Sequence, residues 1–164
     1  MDKNGNGMTA EKIIEWLDLK PLTFEGGYFR RTYLSEKIKD GKSLCSAIYY
    51  LITPSSYSRI HRLPQDELFH FYLGDPVELM QLSDDGKVTV VQVGNDLAAG
   101  QRPQVLVPAG TWQGSQLKNG GNFALLGTTM SPAFAVEDFS TPDNLPLFLE
   151  KYPTRYHQQI ISMY

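Results

Sequence analysis

The spacing of apolar residues along the chain changes period twice. Between Thr9 and Lys20 it is helical: Ile13, Ile14 and Leu17 fall on one face, with Glu11, Lys12, Glu15 and Asp18 on the other, and Thr9 stands where a side chain can cap the first turn. Lys20-Pro21 ends this helix, because the residue before a proline is pushed out of the α region. From Gly26 to Thr129 the alternation is that of strands. Tyr28 to Leu34 puts Tyr28, Arg30, Thr32 and Leu34 on one side and Phe29, Arg31 and Tyr33 on the other; neither side is cleanly apolar, so a solvated edge strand and the wall of a polar pocket both fit. The apolar run Ser43 to Ile52 predicts a strand buried on both faces. Strands follow over Ser58 to Leu63 and Glu67 to Leu73, broken by Pro64-Gln65. A hairpin follows, with Val77 to Leu82 and Val88 to Val93 around Ser83-Asp84-Asp85-Gly86-Lys87. Gln104 to Val107, Thr111 to Leu117 and Phe123 to Thr129 complete the series. The end of the chain returns to helical spacing over Leu145 to Lys151 and Thr154 to Ile161, separated by Pro153. About nine short strands with turn signals at close intervals predict an all-β sandwich or barrel with minor helices rather than βαβ units.

The length of 164 residues suits one hydrophobic core. We expect a flexible N-terminus over residues 1–8 and a single domain over 9–164. The formal net charge of −3 offers no basic footprint, which argues against nucleic acid and anionic membrane and leaves small molecules or other proteins as partners. The lone Cys45 makes no internal disulfide and suits a reducing compartment. No run is long enough to span a bilayer and the first residues lack a leader pattern, so a cytoplasmic location is expected.

Chemistry concentrates in S-R-I-H-R-L-P-Q-D-E-L-F-H-F-Y-L-G-D-P, Ser58 to Pro76. It holds His61 and His70, two of the chain's three histidines, with Asp66 and Glu67 between them. Ionisable groups in a strand-like apolar context mark a site. By strand parity His61 shares a side with Arg59 and Leu63, and Glu67 with Phe69 and Phe71, while Leu68, His70 and Tyr72 point the other way. His61 and Glu67 can therefore meet inside a barrel, with His70 outside it unless a bulge intervenes.

These motifs carry a resemblance. His61, Glu67 and Gly74 match the spacing of the first motif of the cupins, small jelly-roll barrels, and Pro108 and Gly110 match the second. Leu63 and Gln113 stand where two histidine ligands would be. E-G-G-Y-F-R-R-T-Y, H-R-L-P-Q-D-E-L-F-H-F-Y-L-G-D-P, V-P-A-G-T-W-Q and S-P-A-F-A-V-E-D-F together resemble the DUF985, or cupin type 5, family from Thr9 to Ile161. The resemblance implies a double-stranded β-helix (jelly-roll) barrel, a homodimer, and structural similarity to dTDP-4-dehydrorhamnose 3,5-epimerases; it implies no established reaction.

A typical cupin binds Fe, Mn, Ni or Zn through three imidazoles and a carboxylate. With only His61, Glu67 and the weak amide ligand Gln113 available, we expect no metal cofactor, and those three residues as its ligands if a divalent ion is held. Without metal, His61 beside Glu67 makes a general base oriented by a carboxylate, as an isomerase or epimerase acting on a carbohydrate or nucleotide-sugar-like substrate requires. Arg30, Tyr49, Arg59, His70, Phe71, Trp112 and Gln113 are the candidate substrate-binding residues, arginine for anionic groups and Trp112 for stacking. Two other readings stay open: a non-catalytic metabolite sensor, and a metal-dependent dioxygenase with a degenerate site. His61 and Glu67 also fit a vestigial, purely structural pair.

Overall fold

A computed structural model describes residues 7–164. The expected N-terminal segment lies outside the described residues up to position 6, and Met8 already packs against the apolar cluster of the first helix. That helix, α1 (Ala10–Trp16), is capped by Thr9, whose hydroxyl accepts the Lys12 N–H. The strands are β1 (Lys20–Pro21), β2 (Tyr28–Leu34), β3 (Ile38–Lys39), β4 (Lys42–Ser43), β5 (Ser46–Ile52), β6 (Tyr57–Arg62), β7 (Glu67–Gly74), β8 (Val77–Leu82), β9 (Val88–Val93), β10 (Gln104–Val107), β11 (Trp112–Leu117) and β12 (Ala124–Met130). Two short helices close the chain, α2 (Leu145–Glu150) and α3 (His157–Ser162).

The long strands form two antiparallel sheets, one ordered β1-β2-β5-β12-β7-β10 and the other β6-β11-β8-β9. Consecutive strands β6 and β7 fall in different sheets, as do β7 and β8, so the chain crosses repeatedly between layers in jelly-roll fashion. The expected all-β barrel with minor helices is what forms. The additional strands beyond those read from the pattern are two-residue pieces, too short to carry a period.

Inward residues of both sheets, among them Tyr50, Ile52, Phe69, Val77, Leu79, Val93, Val107 and Leu126, make the main core. The outer faces are covered separately. Helix α1 lays Ile13 over Leu51 and Leu125 of the larger sheet, which is why the β5 run is apolar on both sides. Helices α2 and α3 cover the smaller sheet through Phe148, Ile160 and Met163 against Ile60, Met80, Leu82 and Trp112. With Ile160 and Met163 fully buried, this cap contributes on the order of 2 kcal/mol for each large side chain. The barrel interior at the level of His61 and Glu67 is polar, and it is the part of the core that needs a chemical explanation.

Candidate functional site

A β-bulge sets the orientation of His61. In the pairing of β6 with β11, Gln113 lies opposite His61 but Ser115 lies opposite Ser58, so β6 carries one extra residue between them. Ser58 and His61, three apart in sequence, therefore both meet inward residues of β11, and parity fails for Arg59. His61 is fully buried, its Nδ1 donates to the Arg59 carbonyl at 2.8 Å, and its ring stacks on Phe139 at 4.8 Å. A carbonyl acceptor requires the proton on Nδ1, so the neutral ring carries its lone pair on Nε2. Burial lowers the His61 pKa, against the opposing charge of nearby Glu67.

Glu67 opens β7 between β10 and β12 and is buried. Its Oε2 accepts the Gln113 Nε2–H at 2.7 Å, and the Thr128 hydroxyl also supports the ionised form. Burial and the charge of a second carboxyl, Glu25, outweigh these and raise the Glu67 pKa.

Glu25 was not among the sequence candidates. It precedes Gly26 and Gly27, both at positive φ, and a Cβ on Gly26 would run into the Tyr57 carbonyl. The turn therefore requires glycine there, and it delivers the carboxylate into the barrel. Glu25 Oε1 accepts the Ser58 hydroxyl at 2.6 Å, and Tyr50 caps the same turn by donating to the Gly26 carbonyl at 3.0 Å. Burial pushes the Glu25 pKa up to about 7. The signal in the sequence was a glutamate before Gly-Gly within an otherwise apolar L-T-F-E-G-G-Y-F.

Glu25 and Glu67 both line a cavity of about 270 Å³ whose remaining wall is mostly apolar, including Phe24, Phe29, Ile48, Leu63, Met130 and Phe134, with Arg31 also on it. His61 and Gln113 are not on this wall; Gln113 reaches it through its hydrogen bond to Glu67. Phe134 and Val136 bring the segment 131–140 onto this wall as a strap. Phe134 stacks on Phe24 at 6.1 Å, Phe139 meets the same ring edge-on at 4.9 Å, and Asp138 Oδ2 accepts both Lys42 Nζ and Gln65 Nε2 at 2.6 Å. Lys42 beside Asp138 holds that carboxyl below its usual pKa.

The other sequence candidates separate into groups. Arg30 lies over the Tyr49 ring at 5.5 Å, Tyr49 meets Tyr72 edge-on, and His70 stacks on Tyr72 and bonds the Thr129 hydroxyl at 3.1 Å. These are outer-face residues of the larger sheet, so His70 does not join His61. Arg59 reaches the Tyr164 carbonyl, and Trp112 packs on Phe148 beneath the Arg62 guanidinium, both away from the cavity. Phe71 packs against the main core. Of the candidate residues, Glu67, Gln113 and His61 lie together inside the barrel, and Arg30, Tyr49 and His70 gather on the outer face.

A double-layered antiparallel barrel with its polar groups enclosed at one level is the architecture of a cupin. The chain belongs to the cupin superfamily family DUF985, whose model matches residues 11–141. Two solved structures resemble it over nearly their whole length: one of a Shewanella oneidensis protein, 35% identical with a TM-score of 0.86, covering 95% of this chain and 97% of that one, and one of a hypothetical protein from Leishmania major, 30% identical with a TM-score of 0.85, covering 95% and 98%. A Rhodopseudomonas palustris cupin 2 conserved barrel domain protein, 14% identical over 82% of this chain and 77% of that one with a TM-score of 0.53, shares the fold alone. No curated protein matches the chain.

The residues present do not fit the transition metal of typical cupins. Leu63, buried, occupies one imidazole position, and Gln113 turns an N–H donor toward Glu67. Among the described residues no group of three His, Cys, Asp or Glu side chains gathers around a common point. No described helix is long and apolar enough to cross a membrane.

Proposed function

We propose that the cavity is a metal-independent acid–base site of isomerase or epimerase type for a small molecule, with Glu67 and Glu25 as the groups that touch it. The observation that carries this reading is the pair of carboxyls on one cavity wall in unequal surroundings. Burial raises both carboxyls and the Glu25 charge raises Glu67 further, while His61, Gln113 and Thr128 favour the negative charge on Glu67 and Glu25 holds its proton up to about 7. Two such groups hold one base and one acid near neutrality. Glu67 takes a proton from a carbon next to a carbonyl while Glu25 gives its proton to the carbonyl oxygen, forming an enol. Glu67 then returns its proton to the other face of that carbon while Glu25 takes back the enol hydroxyl's proton, giving the epimer. Where that carbon bears a hydroxyl, Glu67 protonates the former carbonyl carbon while Glu25 takes the proton of that hydroxyl, giving the isomer, and either path restores both carboxyls. His61 is a positioning residue in this scheme, and a nucleotide-linked substrate would keep its nucleotide outside the cavity.

Incubation of the protein with small carbonyl compounds in D₂O tests this. We expect deuterium at the carbon beside the carbonyl, lost in Glu67→Gln; exchange that survives that substitution would refute the assignment. The rival reading, a non-catalytic binding module, draws support from the packing of the 131–140 segment, with Phe139 stacked on His61. It predicts ligand binding without exchange in either protein. Pairing of two copies, proposed from the family resemblance, is compatible with exposed Tyr33 and Leu34 in β2, which β1 flanks only at Tyr28 and Phe29; the mass in solution decides it.

A further inference from the structure

Resting on the acid–base reading of the cavity, we propose that its substrate is a small organic acid, its carboxylate bound at the rim by Arg31 and its apolar body running inward to Glu25 and Glu67. Arg31 sits opposite Ile48 of β5, and it shares the cavity wall with that residue and with Phe29. Its neighbour Arg30 turns to the other face, over Tyr49. Among the described residues the ion pairs are Lys20–Asp18, Lys42–Asp138 and Arg62–Asp84, and Arg31 takes part in none. Arg31 thus lines the cavity with no acidic partner within ion-pair distance, and a planar guanidinium of this kind receives a carboxylate in two parallel hydrogen bonds.

The cavity is polar at two ends. Arg31 is exposed while Glu67 is buried, and Phe29, Ile48, Met130 and Phe134 lie on the wall they share. A ligand matching this pattern has an anionic head, an apolar middle and a carbonyl or hydroxyl at the far end. A volume of about 270 Å³ is the space of roughly nine water molecules at about 30 Å³ each, enough for a small organic acid. That excludes a whole sugar nucleotide from the enclosure. A cationic ligand would meet Arg31 at the rim.

The full chain is titrated with 4-oxopentanoate and hexanoate, and with 2-hexanone and hexylamine as neutral and cationic counterparts, by calorimetry and ligand-observed NMR. We expect the two carboxylates to bind at least about tenfold more tightly than the counterparts. Arg31→Gln should cost them about tenfold or more while leaving the unliganded Tm unchanged, Arg31→Lys should retain part of the affinity, and added salt should weaken binding. The inference is overturned if neither carboxylate binds, if hexylamine or 2-hexanone binds as well, or if Arg31→Gln leaves carboxylate affinity intact. Deuterium exchange beside the keto group of 4-oxopentanoate, followed in the same samples, separates the two ideas. Binding through Arg31 with no exchange keeps the anchor and removes the acid–base reading. Exchange that Glu67→Gln abolishes but Arg31→Gln leaves untouched keeps that reading and removes the anchor.

Discussion

Gln113 Nε2 donates to Glu67 Oε2 at 2.7 Å inside the barrel, so the amide standing where a typical cupin has a histidine ligand serves as a donor to the carboxylate. This contact replaces a metal–ligand geometry with an internal hydrogen bond, and Leu63 completes the change by filling the other imidazole position with hydrocarbon.

Restoring both imidazoles should restore metal affinity. Leu63→His with Gln113→His would place three imidazoles and Glu67 together, a donor set suited to Ni, Zn or Mn. Metal analysis after dialysis should find about one ion per chain in the double variant and far less in the parent; retention of a stoichiometric ion by the parent would contradict the geometry.

Glu25 should make stability depend on pH. The folded carboxyl holds its proton to about 7 and the unfolded one releases it near 4.5, so between these values the folded state binds more protons and stability falls as pH rises, levelling off above them. The loss is about 3 kcal/mol across that window. Glu25→Gln should make the decline shallower, leaving the part that buried Glu67 contributes, as urea midpoints from pH 4 to 8 will show; parallel pH profiles for parent and variant would count against it.

The turn that presents Glu25 should tolerate no side chain at Gly26. Ala there faces the Tyr57 backbone carbonyl at a φ of +112, whereas Gly41, at φ +79, has nothing within 4 Å of its would-be Cβ. Gly26→Ala should cost about 3 kcal/mol or more and Gly41→Ala only about 1 kcal/mol, both read from denaturant unfolding.

The strap that carries Phe134 and Val136 should be held locally. Asp138→Asn removes an ion pair whose lysine is substantially exposed, so global stability should fall by less than about 1 kcal/mol. Amide exchange over residues 134–139 should accelerate clearly more than in the sheets. Equal protection in both proteins would show that Phe134 and Phe139 alone keep the strap closed.

Period and turn chemistry were enough to read the barrel, because each β-strand records its buried side locally, every second residue, and because α1 and the C-terminal helices carry their own apolar stripes. The His61–Glu67 convergence was legible for the same reason. Arg59 was not: the extra residue of β6 opposite Gly114 exists only in the pairing with β11, and it turns Arg59 toward Tyr164. Arg30 and Arg31 are equivalent in a strand with no cleanly apolar face, and only the neighbours of β2 decide that Arg30 meets Tyr49 and Arg31 the cavity.

The sequence by itself thus determined the layered all-β fold, the family and the loss of two metal ligands, since these are written in spacing and residue identity. The tertiary structure alone decided that Glu25, far from Glu67 along the chain, is its partner. That pairing depends on a glycine turn closing against Tyr57 and on burial raising both carboxyls, and neither has a counterpart in local periodicity.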